Sequence, residues 1–312
     1  MAISIFVTII AFNGVNSAQL TAEEGKTPAN SKIYQLKSEV LEKYVTVDGI
    51  KIHYLTAGSG PPVILIHGLG VFAETWLYNI KPLSGRNTVY APDLVGFGRS
   101  EKPKVKYSLA YFVKFLSGFM DALNIERASL VGNSMGGLIA LRFALDYPNR
   151  VCKLVFVSGA GLGRKVSFGL RLLSLPILGD ILLARTTKKG IRRGLEGSFY
   201  NPDFVTDEWV EETFKVYKLP SARRAFLSVL RSGVSIFGLK RDVVLLEQLP
   251  KIQAPTLIIW GKRDKVIPVE YAYTAHARIR DSQLHIFSEC GHAPQVEKAK
   301  EFNRLVLEFL EK

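Results

Sequence analysis

The residues best suited to chemistry are Gly132-Asn133-Ser134-Met135-Gly136-Gly137. They follow the apolar run Ala128–Val131 and open the helix-periodic stretch Met135–Tyr147. A serine between glycines at a strand-to-helix turn is the pattern of a nucleophile elbow. The tight turn lifts the hydroxyl above the sheet, and the small neighbours Gly132 and Gly136 let strand and helix cross closely. The helix N-terminus favours the negative charge that develops during attack. A serine needs a general base, and the base needs a carboxylate to orient it. His292, in Cys290-Gly291-His292, follows the apolar run that ends at Phe287. Asp264 lies four residues beyond Trp260, where another such run ends. Both fall at carboxyl ends of strands, where sites in open parallel sheets form.

The competing residues fit less well. His53 is in an N-terminal hairpin, His276 in a helix and His285 within a strand. Asp93 precedes Ser134 and reads as a structural turn residue, and Asp242 lies in a helical stretch. Cys290 reads as packing. Gly159-Ala160-Gly161-Leu162-Gly163 lacks the spacing of a dinucleotide loop. His67-Gly68-Leu69-Gly70 follows the apolar run Val63–Ile66 and suits a loop that donates an N–H to an oxyanion. The expected donors are the backbone N–H groups of Leu69 and Met135. His67, Gly68 and Asn133 are expected to support the loop and line the substrate pocket. No His or Cys set has metal-ligand spacing, so no metal and no cofactor is expected.

These groups need a scaffold. Tyr44–Val47 and Ile50–Thr56, joined through Asp48-Gly49, read as a hairpin. Val63–His67, Thr88–Ala91, Ala128–Val131, Val151–Val157, Thr256–Trp260 and Gln283–Phe287 read as strands buried on both faces. Helical periodicity falls at Ala73–Leu83, Leu109–Leu123, Met135–Tyr147, Val269–Ile279 and Lys298–Leu310. Alternating buried strands and helices predict an α/β fold with a mostly parallel central sheet and right-handed crossovers. The alternation stops over residues 161–250, which read as an inserted helical cap. The core is then 44–160 with 251–312, and residues 1–43 are a leader and linker. From Arg164 to Arg193 there are eight Lys/Arg against one acid, Asp180, interleaved with Leu170–Leu173 and Ile177–Leu183. That pattern suits a lid touching an anionic membrane, or a soluble cap whose apolar residues pack inward.

With 312 residues, 47% hydrophobic and 22% charged, the composition excludes wholesale disorder and fibrous repeats. Two cysteines exclude a disulfide scaffold. A net charge of +13 favours acidic surfaces, with nothing that points to nucleic acid. Residues 1–22 carry no charged side chain, and Ile3 to Phe12 is nearly all apolar. That run is too short to span a bilayer and suits a secretory signal ending near Ser17 and Ala18. Export or membrane association is therefore expected, with a cytoplasmic protein as the alternative.

Over residues 44–312 the chain resembles the α/β-hydrolase superfamily. The resemblance rests on His67-Gly68, Pro92-Asp93-Leu94-Val95-Gly96-Phe97-Gly98-Arg99-Ser100, the Ser134 elbow, Asp264 and Gly291-His292. Met120 to Gly163 and Leu284 to Leu310 look especially like meta-cleavage-product hydrolases, which cut C–C bonds in ring-fission products. Asn133 matches an active-site asparagine of that group. Ala293 stands where that group usually has Trp, and its cap arginine matches no one residue here. The Asp93–Ser100 loop and Asn-Ser-Met-Gly-Gly also look like secreted bacterial esterases and lipases. The expected activity is hydrolysis of carboxylic esters with a hydrophobic part, by Ser134, His292 and Asp264 through an acyl-enzyme. The alternatives are C–C hydrolysis on the same residues and a slow-turnover ligand receptor. The partner is a small hydrophobic ester or ketone.

Overall fold

The structure is a computed structural model and describes residues 32–312. The apolar leader expected at residues 1–22 lies outside them. The strands are β1 (Leu41–Val47), β2 (Ile50–Ala57), β3 (Pro62–Ile66), β4 (Thr88–Pro92), β5 (Ala128–Asn133), β6 (Val151–Val157), β7 (Val234–Ser235), β8 (Gly238–Leu239), β9 (Thr256–Gly261) and β10 (Ser282–Phe287). Eight form one sheet in the order β1-β2-β4-β3-β5-β6-β9-β10. In that sheet β1, β2 and β4 pair antiparallel, and every other pairing is parallel.

The apolar runs are continuous because both faces of the sheet are covered. Ile64, Leu130, Leu154 and Ile258 pack on one face, and Val63, Val131, Val155 and Leu257 on the other. The helices are α1 (Lys32–Ser38), α2 (Leu77–Leu83), α3 (Leu109–Ala122), α4 (Met135–Asp146), α5 (Phe168–Ser174), α6 (Leu178–Ala184), α7 (Lys188–Glu196), α8 (Asp207–Lys218), α9 (Pro220–Gly233), α10 (Glu270–Arg278), α11 (Pro294–Glu297) and α12 (Ala299–Glu311). Phe112, Phe119 and Phe143 of α3 and α4 bury against the first face. Trp76, Ile80, Phe302 and Val306 bury against the second.

Between β6 and β9 the chain leaves the sheet for α5 to α9. Ser167, Thr187 and Thr206 cap three of these helices by accepting the Leu170, Gly190 and Trp209 N–H groups.

The structure departs from the sequence reading in four places. β10, read as buried on both faces, is an edge strand of the sheet, and of its residues only Phe287 is buried. Lys32–Ser38 is helix where a linker was expected, and Lys37 pairs with Glu74 at 3.2 Å. The expected helix Ala73–Leu83 begins as a 3₁₀ turn over Ala73–Trp76. The helical insertion also carries the small hairpin β7–β8. Among the described residues, no helix is long and apolar enough to cross a membrane.

Candidate active site

Parallel register aligns the carboxyl ends of the central strands. Ile66 pairs with Gly132, Asn133 with Val157, and Val157 with Ile259. Ser134 leaves β5 at this edge with φ 58° and ψ −117°, a conformation rarely adopted by residues with a β-carbon. Such strain persists only where the surroundings enforce it. Here a side chain on Gly132 would strike the Gly136 carbonyl, and one on Gly136 would strike the Ile66 carbonyl. The Ser134 N–H donates to Val157 O at 3.0 Å, and Ser134 O accepts from Ala160 N at 3.0 Å. The backbone of the turn is thus held while the hydroxyl makes no hydrogen bond to a described residue.

His292 Nδ1 lies 2.8 Å from Asp264 Oδ2. The other oxygen, Oδ1, accepts the Val266 and Ile267 N–H groups at 2.8 and 2.9 Å. A carboxylate held on both oxygens fixes the imidazole plane and keeps the proton on Nδ1. His292 is 7% exposed, and no described residue bonds its Nε2.

Ser134 and His292 line one cavity of about 210 Å³ with Gly68, Leu69 and Met135. The cavity is roofed by the segment between β6 and β9: Leu170, Phe199, Trp209 and Phe226 contribute to its wall. Lys165 is the one Lys or Arg among its described lining residues. Met135 begins α4, so its N–H belongs to the unsatisfied first turn. Gly68 passes so close to the elbow that a β-carbon there would stand 3.2 Å from Ser134 Cβ.

His67 and Asn133 are both hydrogen-bonded to backbone, and Asn133 also lines the cavity. Burial pushes the His67 imidazole below its ordinary range. Its Nε2 accepts the Leu94 N–H at 2.9 Å, and Nδ1 donates to Gly68 O at 2.8 Å. Asn133 Nδ2 donates to His292 O at 3.1 Å and Val157 O at 3.3 Å, so its donors are already directed at backbone. Burial, with Glu297 beside it, pushes the Cys290 thiol up and away from a thiolate.

Two features were not foreseen. His53 and Asp93, both fully buried, meet at 2.7 Å. Burial alone would raise the Asp93 carboxyl, but the His53 hydrogen bond and nearby positive charge hold it below the ordinary range. Glu297 is the second. Its Oε1 accepts Gly291 N at 2.7 Å, and its Oε2 accepts Tyr200 N at 2.7 Å. It thereby joins the His292 loop to the roof, as does the His292 N–H to Ser198 O at 2.7 Å. Burial pushes the Glu297 carboxyl up, against three backbone N–H groups that favour the anion. The only sequence signal was a Glu five residues past His292 in an apolar stretch. Among the described residues, no group of His, Cys, Asp and Glu could hold a metal ion.

The comparisons agree with this architecture. Residues 63–305 match the alpha/beta hydrolase family. A 2-hydroxy-6-oxo-2,4-heptadienoate hydrolase of Pseudomonas putida is 33% identical over 276 residues, covering 86% of this chain and 95% of that protein. The solved meta-cleavage product hydrolase of Pseudomonas fluorescens IP01, a mutant complexed with acetates, is 33% identical with TM-score 0.75. It covers 88% of this chain and 98% of that one. A membrane phospholipase A described as a bacterial virulence factor is 29% identical with TM-score 0.76, covering 89% and 90%. By the extent of that family match and its full-length relatives, the chain belongs to the alpha/beta hydrolase family.

Proposed function

We propose that this hydrolase cleaves carboxylic esters with a hydrophobic moiety, with Ser134, His292 and Asp264 as a catalytic triad. The observation that carries the reading is the cavity: the strained serine and His292, whose Nε2 no described residue bonds, both line it, and the rest is overwhelmingly apolar. Nε2 takes the Ser134 proton as Oγ attacks the ester carbonyl. The Leu69 and Met135 N–H groups receive the oxyanion. Asp264 stabilises the imidazolium, which protonates the leaving alcohol. Water, deprotonated by His292, then releases the acid and restores Ser134. The helices α5 to α9 act as a cap that selects the substrate by shape and apolar contact.

C–C hydrolysis of ring-fission products is the second reading, favoured by the relatives' own activities. Those products carry a carboxylate, and Lys165 is the one cation on the described cavity wall to meet it. A panel of p-nitrophenyl esters of rising chain length, run beside a ring-fission product, decides between them. Faster turnover of medium-chain esters supports the first reading. Turnover of the ring-fission product alone overturns it. A single burst without further turnover with either substrate would mark a receptor.

A further inference from the structure

The outer surface of the segment between β6 and β9 is unlike the rest of the molecule. Of the twelve large hydrophobic residues exposed among the described residues, six lie on α5, α6 and the β7–β8 turn or directly beside them: Phe168, Ile177, Leu178, Ile181, Ile236 and Phe237. These elements are neighbours, because α5 packs against both α6 and β7. Ile177 and Phe237 are 75% and 77% exposed. Ile177 also holds φ 67°, so a β-branched residue is kept in a costly conformation while pointing into solvent. On the inner side of the same layer, Val166 and Leu170 line the cavity that holds Ser134.

The charges around this face are uncompensated. Arg185, which ends α6, and Lys189, four residues further along the chain, are exposed and have no acidic partner among the described residues; Arg164, also exposed, donates to Leu239 O at 3.0 Å. The one acid of the stretch, Asp180, is engaged by Arg231 at 2.6 Å. By contrast, Lys188 is paired with Glu211, and Arg192 with Asp207. An apolar face with free cations beside it is complementary to an anionic lipid surface, where acyl chains accept the isoleucines and phenylalanines and headgroups accept the cations. A second copy of the chain is a poor occupant, because it would bring the same cations to face these.

We propose that the α5–α6 layer and the β7–β8 turn form a docking surface for an anionic bilayer. Docking would set the outer side of the layer in the interface while its inner side stays over the cavity. The inference goes beyond the proposed reaction and is read as binding, so it fails or stands separately from ester cleavage.

The test is co-sedimentation of the full chain carrying Ser134→Ala with vesicles of phosphatidylcholine alone and with about 30% phosphatidylglycerol. Binding is expected only to the anionic vesicles, and falls as salt rises. Arg185→Ala with Lys189→Ala should weaken it roughly twenty-five-fold, given about a fivefold loss per basic residue at an anionic surface. Ile177→Ser with Phe237→Ser should weaken it further. Both variants keep residues 1–31, so loss of binding cannot be assigned to that segment. An unchanged melting temperature and circular dichroism spectrum shows that they are folded. Equal binding by variants and parent, or no binding to anionic vesicles in low salt, overturns the proposal. So does a sedimentation-velocity dimer that the Ile177→Ser, Phe237→Ser variant abolishes.

Discussion

The molecule contains two buried His–Asp pairs of nearly the same geometry. His292–Asp264 meets at 2.8 Å and His53–Asp93 at 2.7 Å, and both aspartates are inaccessible to solvent. The difference lies on the far side of each imidazole. His292 Nε2 is unbonded among the described residues, and the side chain opens on the cavity beside Ser134. His53 Nε2 sits between Arg99 Nη1 at 3.3 Å and Glu42 Oε1 at 3.4 Å, with the side chain sealed. Asp93 is occupied as well, accepting Ala73 N and Arg99 N at 2.7 Å each. A His–Asp contact is therefore no evidence of catalysis by itself. An idle nitrogen facing a cavity and a strained serine beside it are what give the first pair a chemical role in the proposed site.

The largest expected effect separates the pairs by activity. Asp264→Asn should lower kcat by a factor on the order of 10⁴, because the imidazole loses the tautomer it needs. Asp93→Asn should leave kcat per folded molecule within a few-fold. Steady-state kinetics normalised to active folded protein reads both. Comparable losses in the two variants would break the comparison.

Stability should show the reverse order. Removing the charge from Asp93 leaves His53 and the Ala73 and Arg99 N–H groups poorly matched in a sealed site. A loss of roughly 3–5 kcal/mol is expected, read from urea unfolding. Asp264→Asn should cost much less, since its pair opens on the cavity.

The pH dependence sharpens the same point. The folded Asp93 carboxyl titrates below its unfolded value of about 4. A depressed carboxylate contributes stability that is present above the unfolded value and lost as pH falls toward the folded one. Urea midpoints of the parent should therefore drop below about pH 4 more steeply than those of Asp93→Asn. Parallel curves would show that Asp93 is not the group responsible.

The smallest effect distinguishes substrates. Lys165→Met should raise KM for a carboxylate-bearing ring-fission product roughly fivefold, as expected for an exposed charge pair, and leave a neutral ester unchanged. An equal rise for both would assign Lys165 to shape rather than charge.

The elbow was legible in the sequence because its geometry admits few residues: only glycines fit where β5, α4 and Ile66 crowd together. The sheet was legible because strands covered on both faces read as unbroken apolar runs. The His53–Asp93 pair was not, because forty residues separate its members. What joins them is the antiparallel pairing of β2 with β4, where Tyr54 faces Pro92 and Asp93 N bonds His53 O at 2.9 Å. Local patterning carries no signal for such a contact. The two-residue strands of β7–β8 are too short to show an alternation, and the seven residues of α1 are too few to show a helical period. Glu297 was hidden for a related reason: its partners Tyr200 and Asn201 come from the insertion, nearly a hundred residues away.

The most direct test of the central claim is covalent labelling with a fluorophosphonate, followed by intact mass and peptide mapping. The proposed triad predicts one phosphonyl group per chain, on Ser134 Oγ, with labelling abolished in Ser134→Ala, slowed in Asp264→Asn and retained in Asp93→Asn. Labelling that persists in Ser134→Ala, or that fails in Asp93→Asn while surviving unslowed in Asp264→Asn, would contradict it.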